Sequence, residues 1–108
     1  MQEGIIVLTT TSTEENAKLI AKTLVEEKLA ACVNITTIKS YYIWDNKLNE
    51  DNEFLLIIKT AKEKYESVEK RIKELHIYQL PEIISVKIDN GSKEYMSWIF
   101  NSVRLNTA

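Results

Sequence analysis

ACVNITTIKSYYIW (Ala31 to Trp44) and KLNEDNEFLLIIKT (Lys47 to Thr60) flank the dipeptide Asp45-Asn46. Both arms are rich in β-branched and aromatic residues, and Asn tolerates the positive φ of a tight turn, so the stretch predicts one long β-hairpin. Arms of about 14 residues rising about 3.3 Å each reach about 46 Å, whereas a domain of this length has an expected radius of gyration of about 13 Å. The tip must overhang its own domain. An overhang bearing Tyr41, Tyr42, Ile43 and Trp44 exposes apolar surface beside an unpaired strand edge. Both are aggregation hazards unless another copy covers them. The hairpin therefore predicts a homo-oligomer with Tyr42 and Trp44 as packing anchors at the subunit contact.

On the N-terminal side, Ile5, Ile6, Val7 and Leu8 form a short β-branched run that reads as a central strand over Gly4 to Leu8. A polar turn is expected from Thr9 to Thr13. Ser12 followed by Glu15 has the capping-box spacing, and Ala17, Ile20, Ala21, Leu24, Val25 and Leu29 then mark the buried stripe of a first helix ending near Leu29. On the C-terminal side, Ala61, Tyr65, Val68, Ile72 and Leu75 mark a second helix that stops by His76. Pro81 leads into Glu82 to Asp89, where Ile84, Val86 and Ile88 alternate with Ser85 and Lys87 as in a half-buried strand. Asn90-Gly91 closes it, and Ser92 caps a terminal helix over Lys93 to Val103, with residues 104–108 as a frayed tail. The order strand, helix, strand, strand, helix, strand is the split βαβ of an α+β, ferredoxin-like sandwich with an antiparallel sheet and an extra C-terminal helix. That fold hosts many functions, so function must come from the residues.

The 108 residues, read as a single domain over 1–108, carry 14 basic and 16 acidic side chains and a formal net charge of −2, interspersed along the sequence. No basic footprint for nucleic acid is present, and no apolar run approaches the roughly 20 residues of a membrane span. The single cysteine, Cys32, excludes an internal disulfide and a Cys-rich zinc cluster. One free thiol and no basic-plus-apolar leader point to a reducing, cytoplasmic setting.

Cys32, among Ala30, Ala31, Val33 and Ile35, is either a small buried hydrophobe or a soft metal ligand. His76, the only imidazole, closes a helix whose C-terminal dipole favours the charged ring, and is otherwise a transition-metal ligand. Thr9 to Thr13 precede a helix N-terminus where anions can bind, although ordinary capping explains the run and no glycine there permits close phosphate approach. Lys59 ends the apolar run Leu55 to Ile58 and must find solvent or a partner. Paired carboxylates such as Glu14-Glu15, Glu26-Glu27 and Glu50-Asp51 read as solvated faces. No nucleophile, base and orienting acid share a motif, so catalysis is not expected.

Leu29-Ala30-Ala31-Cys32-Val33-Asn34, Ser40-Tyr41-Tyr42-Ile43-Trp44-Asp45-Asn46-Lys47, Leu55 to Thr60 and His76-Ile77-Tyr78-Gln79-Leu80-Pro81-Glu82, in this order, resemble the CutA divalent-cation tolerance family. The resemblance runs from about Ile5 to Val103. It implies a ferredoxin-like subunit, a tight homotrimer built through the hairpin and similar to the PII signalling proteins, and tolerance to divalent metal ions, copper above all, without established catalysis. The family's copper ligands, a Cys after the first strand and two consecutive His after the second helix, fall on Thr9, Leu75 and His76, so His76 alone keeps ligand chemistry; Cys32 matches the family's Ala-Ala-Cys segment. Ile77 stands where the family has a proline and Asn46 where it has a glycine. The metal-ligand candidates are thus His76 and Cys32, with copper as the ion. The alternative is a PII-like signalling or scaffold module whose intersubunit clefts, lined by Trp44, Lys59, Tyr78 and Pro81, hold a small anionic metabolite or a partner protein.

Overall fold

The computed structural model describes residues 2–104; of the tail expected to fray over 104–108, all but Arg104 falls outside them. The elements are β1 (Gly4–Thr11), α1 (Glu14–Glu26), β2 (Cys32–Trp44), β3 (Lys47–Ala61), a 3₁₀ turn (Lys62–Lys64), α2 (Tyr65–Leu75), β4 (Ile84–Lys87) and α3 (Lys93–Ser102). The four strands form one antiparallel sheet in the order β2-β3-β1-β4. This is the expected split βαβ arrangement with α3 added.

The hairpin turns at Asp45 (φ 52°) and Asn46 (φ 61°), two consecutive left-handed residues that match the twist of the flanking strands. Its arms pair without interruption from Trp44↔Lys47 to Cys32↔Lys59. β1 backs β3 only from Gly4↔Ala61 to Thr11↔Phe54, so the outer part of the hairpin has no third strand beside it. The overhang shows in the dimensions, 50 × 27 × 20 Å with a radius of gyration of 14.7 Å.

Three local expectations shift. β1 continues through Thr9, Thr10 and Thr11, which pair with Leu56, Leu55 and Phe54 of β3, so the polar turn shrinks to Ser12 and Thr13. The cap of α1 is consequently Thr13, whose hydroxyl accepts from the Asn16 N–H at 3.1 Å, and not Ser12. α1 also ends before Leu29: Lys28 takes φ 61°, and the Leu29 N–H closes on the Leu24 carbonyl at 2.9 Å as in a Schellman turn.

Alternation along the strands divides the sheet into two faces. Ile5, Val7, Leu56 and Ile58 pack under α1 and α2 with Ala17, Ile20, Leu24, Val68 and Ile72 as the main core. On the other face α3 covers only the end formed by Ala31 and Ala61, through Ile99 and Val103. Gly4 and Gly91 make room for Met96 there; a Cβ would stand 2.5 Å from its Cε and 2.6 Å from its Sδ, respectively. The remainder of this face is open: Ile6, Leu8, Leu55 and Ile57 are only partly buried, and Ile84 and Val86 are about half exposed. β4, expected to be half-buried, is thus exposed along its whole length in the single chain, because no layer lies over its apolar side.

Asn16 ties the three inner elements together. Its side chain accepts from the Thr11 hydroxyl at 2.7 Å and donates to the Leu75 carbonyl at 3.0 Å, satisfying an orphan carbonyl at the end of α2. Thr9 Oγ1, by contrast, is the buried side-chain polar atom left without a partner among the described residues. Replacing Thr9 by the isosteric Val removes that unsatisfied hydroxyl. Urea denaturation at fixed protein concentration should show Thr9→Val more stable by about 1 kcal/mol.

Candidate functional site

His76 is delivered by the end of α2. Its own N–H closes the helix on the Ile72 carbonyl at 2.8 Å, and its extended backbone (φ −73°, ψ 145°) turns the chain back toward β1. β4 leaves β1 at Leu8↔Ile84, and beyond that point His76 Nε2 donates to the Thr10 carbonyl at 2.8 Å. The Tyr78 N–H donates to His76 Nδ1 at 3.0 Å. An amide N–H can only donate and a carbonyl only accept, so the ring is the neutral tautomer with its proton on Nε2. Burial lowers the imidazole's pKa, outweighing the Thr10 carbonyl and Glu53, which favour the charged form. The helix-dipole expectation of a favoured cation is reversed by this desolvation.

Tyr78 carries the arrangement outward. Its ring lies 4.9 Å from that of His76, and its hydroxyl donates to Glu53 Oε2 at 2.7 Å. Burial first, and the Glu53 hydrogen bond second, push the phenol up to about 12, so it remains a donor at neutral pH. Glu53 is 8% exposed and takes part in no ion pair among the described residues. Nearer the hairpin tip, the Tyr42 hydroxyl donates to Asp51, which raises the Tyr42 pKa.

These residues border a cleft of about 780 Å³ between the hairpin and the segment after α2. Thr10 and Glu53 line it from the sheet, Ser40, Tyr41, Tyr42 and Trp44 from β2, and Ile77, Tyr78, Gln79, Leu80 and Glu82 from the segment after His76. Among the described residues no Lys or Arg lines it, while Glu53 and Glu82 do.

Of the residues singled out in the sequence, Trp44, Tyr42 and Tyr78 meet in this cleft, and His76 packs against Tyr78. Pro81 sits between the lining residues Leu80 and Glu82. Lys59 is not a lining residue of the single chain; its Nζ lies 5.9 Å from the centre of the Tyr95 ring. Cys32 is a half-buried free thiol paired with Lys59 across the strands, whereas Thr10, which holds His76, pairs with Leu55. Four residues of β3 separate those positions, about 13 Å at strand spacing, so one chain does not bring Cys32 to His76. Both ring nitrogens of His76 are already engaged, and no group of three His, Cys, Asp or Glu side chains suited to a metal occurs among the described residues. Thr9 lies on the core face, fully buried and away from the cleft. Sequence reasoning missed Glu53 and Glu82. The usable signal was Glu53 sharing an alternation with Leu55 and Ile57, which puts its carboxylate on the same strand face as two apolar residues.

Over residues 5–102 the sequence matches the family described as CutA1 divalent ion tolerance protein. The chain belongs to the CutA family. The divalent-cation tolerance protein CutA of Thermus thermophilus is 45% identical over 95 residues, covering 87% of this chain and 92% of that one. The chloroplastic CutA of Arabidopsis thaliana is 43% identical over 94% of this chain, which spans 56% of that longer relative. Among solved structures, the periplasmic divalent cation tolerance protein CutA from Archaeoglobus fulgidus superimposes with a TM-score of 0.92 at 40% identity, covering 94% of this chain and 99% of that one. The expected family and subunit fold are therefore those observed. No helix among the described residues is long and apolar enough to cross a membrane.

Because the folded chain holds His76 below its ordinary value of 6.5, the unfolded chain binds more protons in the interval between the two values. The stability from keeping the ring neutral is complete above 6.5 and is lost as pH falls through 6.5 toward the folded value. Proton NMR should place the His76 titration midpoint below 6.5, and His76→Gln should flatten the decline in stability over that interval.

Proposed function

We propose that this CutA chain acts by binding and not by catalysis, as a homotrimer whose acidic, aromatic cleft takes up a divalent cation, copper or a similar ion. The observation that carries this reading is Glu53: a nearly buried carboxylate with one phenol donor and, among the described residues, no basic partner, in a cleft where Glu82 is the only other charged lining residue described. A buried carboxylate without a counter-charge is costly, and a bound cation removes that cost. The name shared by the relatives, divalent-cation tolerance protein, agrees in the sign of the ligand.

The donor set of one chain does not complete a metal site. His76 can ligate only by giving up its bond from the Tyr78 N–H, and Cys32 lies elsewhere on the sheet. The cleft carboxylates therefore supply the attraction, with water or a neighbouring subunit filling the other positions. Trimer formation is supported by the open apolar sheet face and by Tyr41, Ile43, Trp44 and Leu48, all more than half exposed on the overhang. A cytoplasmic location rests on the free thiol alone.

The alternative of a PII-like module holding an anionic metabolite needs positive charge in the cleft. Only a neighbouring subunit, through Lys59 or another base, could bring it there.

Native mass spectrometry of the full chain should report three copies, with added mass when copper is present. Calorimetric copper titration should weaken about tenfold, about 1.4 kcal/mol, in Glu53→Gln. The double variant His76→Gln, Cys32→Ala should stay close to the parent. The opposite ranking would assign the ion to the imidazole and thiol instead.

A further inference from the structure

Asn90-Gly91, the sequence's only Asn-Gly pair, joins β4 to α3. Asparagine is a thermolabile side chain. Where glycine follows it, no Cβ shields the next backbone nitrogen, and the permissive backbone lets that nitrogen approach the side-chain carbonyl. The fold leaves this pair open. The last tie of β4 to β1 runs from the Ile88 N–H to the Gly4 carbonyl at 3.0 Å, and the next backbone bond, Met96 N–H to the Ser92 carbonyl at 2.9 Å, already belongs to α3. Among the described residues the Gly91 N–H between them has no acceptor. Asn90 and Gly91 are both exposed, and the Asn90 amide donates only to its neighbour Asp89, at 3.2 Å. Packing also keeps the glycine in place, since a Cβ at Gly91 would stand 2.6 Å from Met96 Sδ and 2.9 Å from its Cγ. The loop lies beside Gly4, at the hairpin base, away from the overhanging tip and next to the end of the sheet that α3 covers.

We propose that Asn90 is a self-modification site whose isoaspartyl product releases α3. The Gly91 nitrogen bonds to Asn90 Cγ; the Cγ–Nδ2 bond breaks, and the amide group leaves with the Gly91 proton as ammonia, closing a succinimide. Water then opens the ring, its hydroxyl going to a carbonyl carbon and its hydrogen back to the Gly91 nitrogen. Opening at Cγ gives aspartate. Opening at the Asn90 main-chain carbonyl carbon gives isoaspartate, whose chain runs through Cβ and Cγ. No electrons are gained or lost. Aspartate keeps the backbone, whereas isoaspartate lengthens it by one methylene directly before Gly91, which rests on Met96, and Ser92, whose hydroxyl caps α3 by accepting from the Tyr95 N–H at 3.2 Å. α3 has little else to hold it. Its anchor is the small cluster of Ala31, Ala61, Ile99 and Val103, with Met96 and Phe100 against it.

The test ages the full chain, as it assembles in solution, in mildly alkaline buffer made with heavy-oxygen water, then digests it in acid. Peptide mass spectrometry with electron-transfer fragmentation separates isoaspartate from aspartate, and the oxygen label marks conversion during ageing. The expected result is labelled isoaspartate at position 90, formed at least about tenfold faster than at any other asparagine. Asn90→Gln, whose side chain is one methylene longer, should abolish it. In the isoaspartyl fraction the α3 amides should exchange hydrogen about fivefold faster than in Asn90→Asp, the weight of a lost cap. The first measurement needs neither variant. Conversion at Asn90 no faster than elsewhere, as when a neighbouring subunit covers the loop, overturns the proposal. Isoaspartate with α3 exchange equal to that of Asn90→Asp overturns it as well, because the helix then stays in place.

Discussion

β1 accompanies β3 only as far as Phe54, and the hairpin continues past it. Past Thr11 the chain leaves the sheet and enters α1, which Thr13 caps. Beyond that level β2 and β3 have only each other, and a two-stranded ribbon is marginal in water by itself. The 50 Å length, one wall of the cleft and the exposed Tyr41, Ile43, Trp44 and Leu48 all follow from this mismatch in strand length.

The same shortage appears across the thickness of the sheet. α1 and α2 close one face, and α3 is too short to close the other. Full burial of an Ile or Val contributes about 1.5–3 kcal/mol, and Ile84 and Val86 have gained about half of theirs in the single chain. Ile6, Leu8, Leu55 and Ile57 lie beside them on that face. The sheet and the ribbon therefore share one unmet requirement in the single chain, apolar cover over this face and along the outer hairpin.

Much of the architecture was legible because period and turn chemistry are local properties. Alternation in Ile84 to Ile88, the three-and-four spacing of Val68, Ile72 and Leu75, and Asp45-Asn46 between two β-rich arms each act within a few residues. The extension of β1 over three threonines was not legible, since only the partner strand decides whether a polar, β-branched run pairs or turns. Nor was the cap: Ser12 and Thr13 offer equivalent hydroxyls, and the end of the ladder selects between them. The site was half legible. Trp44 and Tyr78 stood out as aromatics in an informative context, whereas Glu53 needed the fold to show that Tyr78, 25 residues away, covers it.

The protonation states around the cleft reinforce one another. The Tyr78 amide fixes His76 as neutral, and the Tyr78 phenol, pushed up to about 12, is neutral as well. Neither carries a positive charge that could balance Glu53 or Glu82. A fully protonated His76 would change this, but its second proton would fall on Nδ1, facing an N–H that can only donate. Charging the ring thus costs a backbone hydrogen bond in addition to the desolvation of the cation. The loop geometry after α2 therefore brings no positive charge to Glu53 and Glu82 in the single chain.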